Sequence, residues 1–388
     1  MIYFTAGESH GPQLTGIIEG FPAGLHLSID RINQKLSERQ KGYGRGYRQK
    51  IEKDQVKITS GVRHGITLGS PITLTIANID HKHWSKIMNP IHRPNPDTNL
   101  REVKNPRPGH ADLVGGMKYG HRDLRNVLER SSARETAMRV AIGAICTQLL
   151  NELGIRIAGY VRQIGSIEAD SDQLLTPDQI ERAINCNDLR IVNQDKVEAI
   201  HEFIDQTKKA GDTLGGIVRV IAENVPAGLG SYTSWNEKLD SKIAAAVIGI
   251  NAFKGVSFGD GFDLGTKPGS QVMDPIYWDQ DQGWYRSSDH LGGFEGGMTN
   301  GMPLIINAAM KPIPTLYKPL HSVAIDTKEE HKASIERSDV TAIVPASLVI
   351  EAVVAIELCK AILGTFDCAS MDRLKKQYHD YCDELKNY

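Results

Sequence analysis

Two histidines in turns rich in glycine and proline are the side chains best suited to acid–base chemistry. His10 lies in residues 7–12, where glycines and a proline predict an exposed turn, and His110 lies in residues 106–112, where prolines restrict the direction of the imidazole. A free imidazole has a pKa of about 6.5, and a nearby anion favours its protonated form. Both histidines are therefore candidate proton donors. The alternatives are a turn histidine without a role, and a packed His110 beside an Asp112 that caps a helix.

The first third of the chain is rich in arginine and positively charged, although the whole chain has a formal charge of -2. Residues 1–140 contain 22 Lys plus Arg against 13 Asp plus Glu, a balance of +9, so the remaining 248 residues carry -11. Residues 31–53 are the densest part and are interleaved with glycines. A planar guanidinium suits phosphate and carboxylate, and glycine lets backbone amides approach a ligand. The pattern predicts a site for small polyanions, with a solvated charged face as the alternative.

Arg130 and Arg134 lie on either side of a predicted helix start. Ser132 and Glu135 have the spacing of a capping box ahead of a helix predicted over residues 133–153. This helix start would bring together unpaired backbone amides, the positive end of the helix dipole and two arginines. Such a combination favours a bound phosphate or carboxylate. The capping box accounts for the serine and the glutamate without a ligand, but it does not account for the arginines.

The remaining motifs are less specific. Residues 292–301 are dense in glycine, which predicts close backbone approach to a flat or bulky group, but they lack the strand-to-helix setting of a dinucleotide-binding motif. Arg337 and Asp339 precede the last predicted helix, and such neighbours more often form an ion pair than supply a catalytic carboxylate. No histidine pair or acidic run has the spacing of a zinc or calcium site, so we predict no metal.

The elements that must position these residues interleave irregularly. Prolines forbid regular structure over about residues 89–109, and a loop of that length is usually functional or disordered. Irregular interleaving favours a mixed α+β layered fold over a doubly wound parallel sheet, and we expect one domain over residues 1–388. Strands are predicted at 14–19, 56–62, 72–76, 155–164, 216–223 and 304–310, and helices at 29–39, 133–153, from 177, 196–210, 238–249 and 345–363.

Cysteine usage and hydropathy bear on the compartment. The five cysteines are scattered and include no C-x-x-C pair, which indicates neither a disulfide framework nor a thiolate metal site and fits a reducing compartment. Residues 1–10 lack a basic signal-type region, and charged residues interrupt the apolar stretch 342–363. We therefore expect a soluble cytoplasmic protein that does not associate with a membrane.

Five motifs, taken in order, resemble those of the chorismate synthase family, and the resemblance extends from Gly7 to about Leu358. Two departures are visible. Residues 296–300 read Gly-Gly-Met-Thr-Asn where Gly-Gly-Ile-Ser is more usual, and residues 81–102 form a longer segment than in many bacterial members. The motifs are Gly-Glu-Ser-His-Gly at 7–11, Gly-Tyr-Gly-Arg-Gly at 42–46, Pro-Gly-His-Ala-Asp at 108–112, Arg-Ser-Ser-Ala-Arg-Glu-Thr at 130–136 and Arg-Ser-Asp at 337–339.

The resemblance implies a fold and an activity. The fold would be a single-domain β-α-β sandwich of mixed or antiparallel sheets around long core helices, assembled as a homotetramer. The activity would be the 1,4-anti elimination of phosphate from 5-enolpyruvylshikimate 3-phosphate to give chorismate, dependent on reduced FMN with no net redox change. NADPH is a candidate reductant for the flavin, and the sequence leaves open whether the chain reduces its own flavin or relies on a separate reductase.

The resemblance also implies residue roles. His10 would protonate the departing phosphate, His110 would supply a proton to the reduced flavin, and Asp339 would relay the proton at flavin N5. Arg39 and Arg45 are positions where a nicotinamide nucleotide is the alternative to substrate. The substrate-binding residues would be Arg39, Arg45, Arg48, Arg107, Arg134 and Arg337. The FMN-binding residues would be Arg130, Ser131, Ser132, Asn251, Ala252, Gly296, Lys311, Pro312, Ile313, Pro314, Thr315 and Arg337.

Two other functions compete with the elimination. The first is a module that binds a phosphate-rich polymer such as RNA, in which residues 39–48 with Tyr43 and Tyr47 would supply a charged, stacking groove. Its affinity would fall steeply with salt and would not need flavin. The second is a flavin-dependent reductase, which would consume NADPH in proportion to product.

Overall fold

Two antiparallel sheets with helices packed between them form the body of the chain. The computed structural model describes residues 1–45, 53–93, 95, 100–336 and 338–388. The predicted α+β class, with layered antiparallel sheets around core helices, is confirmed. Within the described residues the helices are α1 (Ile29–Gln40), α2 (Asp112–Tyr119), α3 (Arg125–Ser131), α4 (Thr136–Glu152), α5 (Pro177–Ile184), α6 (Val197–Lys209), α7 (Leu239–Ile248), α8 (Ile343–Thr365) and α9 (Met371–Lys386).

The strands of the first sheet are joined in the order β1-β2-β7-β4. In β7 the apolar side chains Ile72, Leu74 and Ile76 are buried and the threonines between them are less so, which is the alternation of a strand with one covered face. The strands in this half of the chain are β1 (Ile2–Ala6), β2 (Gln13–Glu19), β3 (Ala23–His26), β4 (Val56–Ser60), β5 (Val62–Arg63), β6 (Ile66–Leu68) and β7 (Ile72–Ala77).

The second sheet has the order β11-β16-β10-β8-β9, and all of its pairings are antiparallel. Its central strands are buried along nearly their whole length because α8 covers one face and α5 packs against the other. The remaining strands are β8 (Arg156–Ile164), β9 (Ile167–Glu168), β10 (Gly216–Glu223), β11 (Phe253–Phe258), β12 (Ile276–Asp279), β13 (Gly283–Arg286), β14 (Phe294–Glu295), β15 (Met298–Thr299), β16 (Leu304–Met310), β17 (His321–Val323) and β18 (Glu330–Lys332).

Helices α4 and α8 are apolar around most of their circumference and lie against each other between the two sheets. A helix that is hydrophobic on all sides is buried, and the main core runs through both helices and both sheets. Among the described residues, no helix has the length and apolarity needed to cross a membrane.

The start of α4 differs from its prediction. Residues 133–135 form a 3₁₀ turn, and the α-helix begins only at Thr136. Ser132 Oγ accepts a hydrogen bond from the amide of Arg134, so the serine caps the 3₁₀ turn. Glu135 is paired with Arg139 instead of closing a capping box, and the predicted box is therefore wrong.

Several strand ends of the first sheet meet at one edge. Ala6 pairs with Thr15, Gln13 pairs with Ala77, and Val56 pairs with Ile76, so the loop 7–12, the end of β7 and the start of β4 lie side by side. These are the segments that carry His10, Asn78 and Asp54. Antiparallel pairing thus gathers residues from distant parts of the chain at this edge.

The described residues of the proline-rich loop are held by backbone hydrogen bonds and buried contacts. Its residues carry no helix or strand between 89 and 111 at the described positions, as predicted. Backbone hydrogen bonds join Lys104 to Ile325 (3.1 Å) and Asn105 to Ser334 (3.3 Å). Val103 is buried with Leu124 and Leu128, which fixes the approach of this loop to α3.

Candidate active site

The imidazole of His10 is held by a buried carboxylate. Nδ1 of the ring lies 2.8 Å from Oε1 of Glu129, and the backbone amide of His10 donates to Oε2 of the same residue at 2.8 Å. Glu129 is on α3 and its side chain is only 2% exposed. Burial acts to raise the pKa of Glu129, but the hydrogen bonds from His10 and the charges of His10 and Arg125 together lower it. Glu129 is therefore an anion that accepts hydrogen bonds from the histidine.

One face of the His10 ring is stacked on an indole. The ring centroids of His10 and Trp84 are 3.9 Å apart at an angle of 25°. The guanidinium carbon of Arg101 lies 4.1 Å from the centroid of the same indole, and that of Arg125 lies 5.2 Å from it. Trp84 follows the 3₁₀ helix Ile79–His83, so part of the long segment 81–102 forms a wall of this site.

Three predicted arginines form a second, deeply buried group. Nη1 of Arg134 donates to Asp54 Oδ2 at 2.6 Å, and Nη1 of Arg39 lies 3.8 Å from the same oxygen. Arg45 is paired with Asp339 at 2.8 Å. Burial lowers the pKa of Arg39 to about 10, and the charges of Arg134 and Arg45 also lower it. The carboxylate of Asp54 acts in the opposite direction. Burial likewise lowers the pKa of Arg45.

Some donors in this region have no protein acceptor. Nε of Arg45, Nη2 of Arg134 and Nη1 of Arg125 are buried and have no hydrogen-bond partner among the described residues. A buried guanidinium N–H without an acceptor is costly, and a bound anion would satisfy it.

Two contacts connect the His10 group to the arginine group. Asn78 accepts from Nε of Arg134 at 2.9 Å and donates to the carbonyls of Glu8 and Gly11 on either side of His10. Ser9 Oγ donates to Ser132 Oγ at 3.1 Å. The His10 group and the Arg134–Asp54–Arg39 group are therefore joined by hydrogen bonds, and Arg45 is near enough to Arg39 for its charge to lower the pKa of that residue.

His110 is part of a third group built on the proline-rich loop and α2. Its Nδ1 lies 2.6 Å from Oδ1 of Asp112, and Nη2 of Arg107 lies 3.1 Å from the same nitrogen. Nε of Arg107 donates to Asp112 at 2.8 Å, and its Nη1 donates to Oγ1 of Thr315 at 2.8 Å. Burial acts to raise the pKa of Asp112, but the hydrogen bonds and charges of His110 and Arg107 lower it well below its ordinary value. Arg107 is thus committed to protein partners.

Comparisons with known proteins decide the family. The family model for chorismate synthase matches residues 1–363. A chorismate synthase from Lactiplantibacillus plantarum is 64% identical over 386 residues, covering 100% of this chain and 99% of the relative, and one from Limosilactobacillus fermentum is 62% identical with both chains covered fully. A crystal structure of a chorismate synthase superimposes with a TM-score of 0.81 at 40% identity, covering 100% of this chain and 98% of the other.

The chain belongs to the chorismate synthase family.

Five segments are predicted to bind flavin, and three of the four that the structure describes lie next to one another. Nδ2 of Asn251 donates to the carbonyl of Ser131 at 2.7 Å, and the amide of Lys311 donates to the carbonyl of Ala252 at 3.0 Å. Gly109, next to His110, lies beside this group, since a Cβ on the glycine would be in ordinary contact with Lys311 Nζ at 3.7 Å. Burial and the charge of Lys254 lower the pKa of Lys311.

The other predicted flavin residues have varied surroundings. Arg130 donates to the carbonyls of Gly7 and Thr5, and Thr315 accepts from Arg107. The carbonyl of Ile313, between Pro312 and Pro314, accepts a hydrogen bond from Thr213 at 2.8 Å. Gly296 is in a turn with positive φ, where a Cβ would lie 3.7 Å from Tyr232, and its described contacts are outside the group formed by the other three segments.

Some predicted substrate, flavin and nucleic-acid residues are at positions that the structure does not describe. The predicted nucleic-acid stacking residue Tyr43 is described. Arg48, Tyr47 and Arg337 lie outside the described residues. Tyr43, the other proposed stacking residue for a nucleic acid, donates to Asp205 at 3.1 Å, and its ring centroid lies 4.1 Å from that of His201. The backbone amide of Tyr43 also donates to the carbonyl of Asp188. The tyrosine is therefore bonded to protein groups of two acidic residues, Asp205 and Asp188.

Sequence reasoning did not find five residues that complete the site, namely Asp54, Asn78, Trp84, Arg125 and Glu129. None lies in a family motif quoted above, and each reaches its partner across a long stretch of chain. Glu129 is 119 residues from His10, and Asp54 is 80 residues from Arg134. The one available signal was that Glu129 directly precedes the Arg-Ser-Ser motif.

Proposed function

We propose that this protein is a chorismate synthase that eliminates phosphate from 5-enolpyruvylshikimate 3-phosphate in a 1,4-anti sense, with reduced FMN required and no net redox change. The observation that carries the proposal is a set of buried arginine N–H groups that have no acceptor in the described part of the chain, beside a histidine whose Nδ1 contacts a carboxylate. A substrate with a phosphate and two carboxylates supplies the acceptors that this set lacks.

His10 is proposed to protonate the departing phosphate. Its Nδ1 is occupied by Glu129, which leaves Nε2 as the nitrogen that can face the substrate. An imidazole that carries a proton at Nε2 both attracts the phosphate and donates to it as the C–O bond breaks. Arg134 and Arg45 would hold the same anion through Nη2 and Nε.

The residues around Asn251 and Lys311 fit a flavin mononucleotide. The amine of Lys311 and the hydroxyl of Ser132 would be hydrogen-bond donors to its anionic and carbonyl oxygens, and Asn251, which donates to the carbonyl of Ser131, holds these segments together. Reduced FMN held by these residues would supply reversible one-electron chemistry, which would permit the loss of a weakly acidic hydrogen with no net redox change. His110 would be the proton donor on this side, oriented by Asp112 and Arg107, and Asp339, held by Arg45, would be the proton relay.

The proposal extends to the state of the enzyme in the cell. All five cysteines are free, which supports a reducing compartment such as the cytoplasm. The family resemblance supports a homotetramer, and it supports NADPH as the source of electrons for the flavin, through this chain or a separate reductase.

Anaerobic incubation with dithionite-reduced FMN and 5-enolpyruvylshikimate 3-phosphate tests the function. We expect one phosphate and one chorismate per substrate, and neither product with oxidised FMN. His110→Ala should lower turnover by about 10²-fold or more if the ring is a proton donor. His379→Ala, an exposed histidine on α9, is the matched control and should leave turnover unchanged.

Two results would reject the proposal. Phosphate release that does not depend on the flavin redox state would remove the flavin from the reaction. Consumption of one NADPH for each product, after the flavin has been reduced, would indicate a reductase with net electron transfer.

A further inference from the structure

Glu129 is a charged residue in direct hydrogen-bond contact with the imidazole of His10. Its two oxygens bind both the ring and the backbone of the same residue, with distances of 2.8 Å to Nδ1 and 2.8 Å to the amide. A carboxylate that bonds a histidine at two points restricts both the rotation of the ring and the position of the loop that carries it. The side chain of His10 is only 12% exposed, so the predicted exposed turn is wrong at this residue.

The other groups that face His10 complete its surroundings. Trp84 covers one face of the ring, and His81 Nδ1 lies 2.9 Å from the carbonyl of His10. Arg125 Nη1 is 3.6 Å from Oε1 of Glu129, and Arg101 lies over the same indole as His10. Among the described groups in direct contact with the ring itself, Glu129 is the one that carries a negative charge.

We propose that Glu129 is a positioning residue that fixes the Nδ1–H tautomer of His10 and directs Nε2 of the ring at the phosphate that leaves. The inference rests on the proposed function and adds a residue to it.

The chemistry of the pair supports this assignment. A carboxylate can only accept, so the nitrogen that faces it carries the hydrogen, and the opposite nitrogen is left to exchange a proton with the substrate. Burial acts to raise the pKa of Glu129, but its hydrogen bonds with His10 and the charges of His10 and Arg125 lower it, which favours the carboxylate form that accepts from Nδ1–H. When Nε2 also carries a proton, the ring can donate from that nitrogen.

The first experiment compares Glu129→Gln and Glu129→Ala with Glu357→Gln. Glu357 is a matched control because it is also a buried, ion-paired glutamate, but it lies on α8 and pairs with Lys360. We expect Glu129→Gln to lower kcat by about 10- to 100-fold with a smaller change in KM, and Glu129→Ala to lower it further. Because the anion is lost, the alkaline limb of the kcat/KM profile should move to lower pH. Glu357→Gln should leave the profile in place.

A double-mutant cycle separates positioning from a purely structural role. If Glu129 acts through His10, Glu129→Gln should have no further effect on kcat in the His10→Ala background. Multiplicative loss in the double variant, or a Glu129→Gln enzyme with an unshifted pH profile, would overturn the inference. Far-UV circular dichroism and the Tm of each variant establish that it is folded.

Nitrogen NMR of the free enzyme tests the tautomer without turnover. With ¹⁵N-histidine, we expect the His10 signals, assigned by their loss in His10→Ala, to report a protonated Nδ1. A neutral ring protonated at Nε2 alone would contradict the inference even if the enzyme is active. If the wild-type enzyme releases no phosphate, the proposed function is rejected. The NMR result would still test the hydrogen bond between His10 and Glu129 independently of that outcome.

Discussion

At the scale of single residues, buried arginine N–H groups of Arg45, Arg134 and Arg125 have no hydrogen-bond acceptor among the described residues. Arg39 and Arg134 share the one carboxylate of Asp54, and Arg45 is paired with Asp339. Burying a cation is unfavourable unless it is paired and hydrogen-bonded, and the lowered pKa of Arg39 reflects that cost. Under the proposed function, an anionic substrate would supply acceptors for these guanidinium groups.

Replacing Arg45 by lysine tests this view of the arginines. Lysine can keep the ion pair with Asp339 but has no Nε–H to offer a substrate. We expect Arg45→Lys to raise KM for the phosphorylated substrate by about 10- to 100-fold, measured in the anaerobic assay.

Arg156→Lys is the control, because Arg156 forms exposed ion pairs with Asp178 and Glu181 outside the site. An unchanged KM in Arg45→Lys, with KM also unchanged in the control, would mean that the guanidinium of Arg45 does not contact substrate.

Local sequence points to candidate site residues better than to the residues that hold them. His10 and Arg134 are candidates from their local sequence, and the family resemblance adds Arg45 individually. Glu129 and Asp54 could not be predicted, because their role depends on pairings across 119 and 80 residues that only the folded sheet brings about.

At the scale of elements, the contact between α4 and α8 sets the thickness of the helical layer. Gly143 of α4 faces Ala352 of α8 so closely that a Cβ on the glycine would lie 2.4 Å from Ala352 Cβ and 2.7 Å from its carbonyl oxygen. The two backbones can approach this closely only because Gly143 has no side chain. The 3₁₀ turn that carries Arg134 leads directly into α4, so this contact also affects the site.

Gly143→Ala should lower the free energy of unfolding by about 1–3 kcal/mol, because overpacking forces the helices apart. Chemical denaturation measures the change. Gly364→Ala, near the end of α8, meets no atom within 4 Å and should leave stability unchanged or raise it slightly through helix propensity. Equal stability in both variants would show that the helices have room to separate.

Most long elements were predictable from periodicity, and the errors have local causes. The strands Gly216–Glu223 and Leu304–Met310 match their predicted bounds because continuous apolar residues end at clear turn signals. The early part of α4 was predicted wrongly because Ser132 has the same cap chemistry for a 3₁₀ turn as for an α-helix. Strand β11 and helix α9 were not predicted. β11 contains glycine and lysine among its apolar residues, and α9 is largely polar.

At the scale of the whole molecule, the fold places positively charged residues from the first third of the chain in one region, beside residues from the second half. The basic first third supplies the loops at one edge of the first sheet, where Asp54, Asn78 and His10 meet. The second half of the chain contributes Asn251, Lys311 and Asp339 to the neighbouring groups. The family's ordered motifs therefore correspond to segments that the two-sheet arrangement brings towards the same region.

The central claim is that these groups bind one substrate and one flavin side by side. A crystal structure of the complex with 5-enolpyruvylshikimate 3-phosphate and oxidised FMN, which does not turn over, tests it most directly. We expect the substrate phosphate to lie within hydrogen-bond distance of His10 Nε2 and of either Arg134 Nη2 or Arg45 Nε. The flavin should lie between the substrate and Lys311. Substrate and flavin bound on separate surfaces, with His10 and these arginines touching neither, would contradict it.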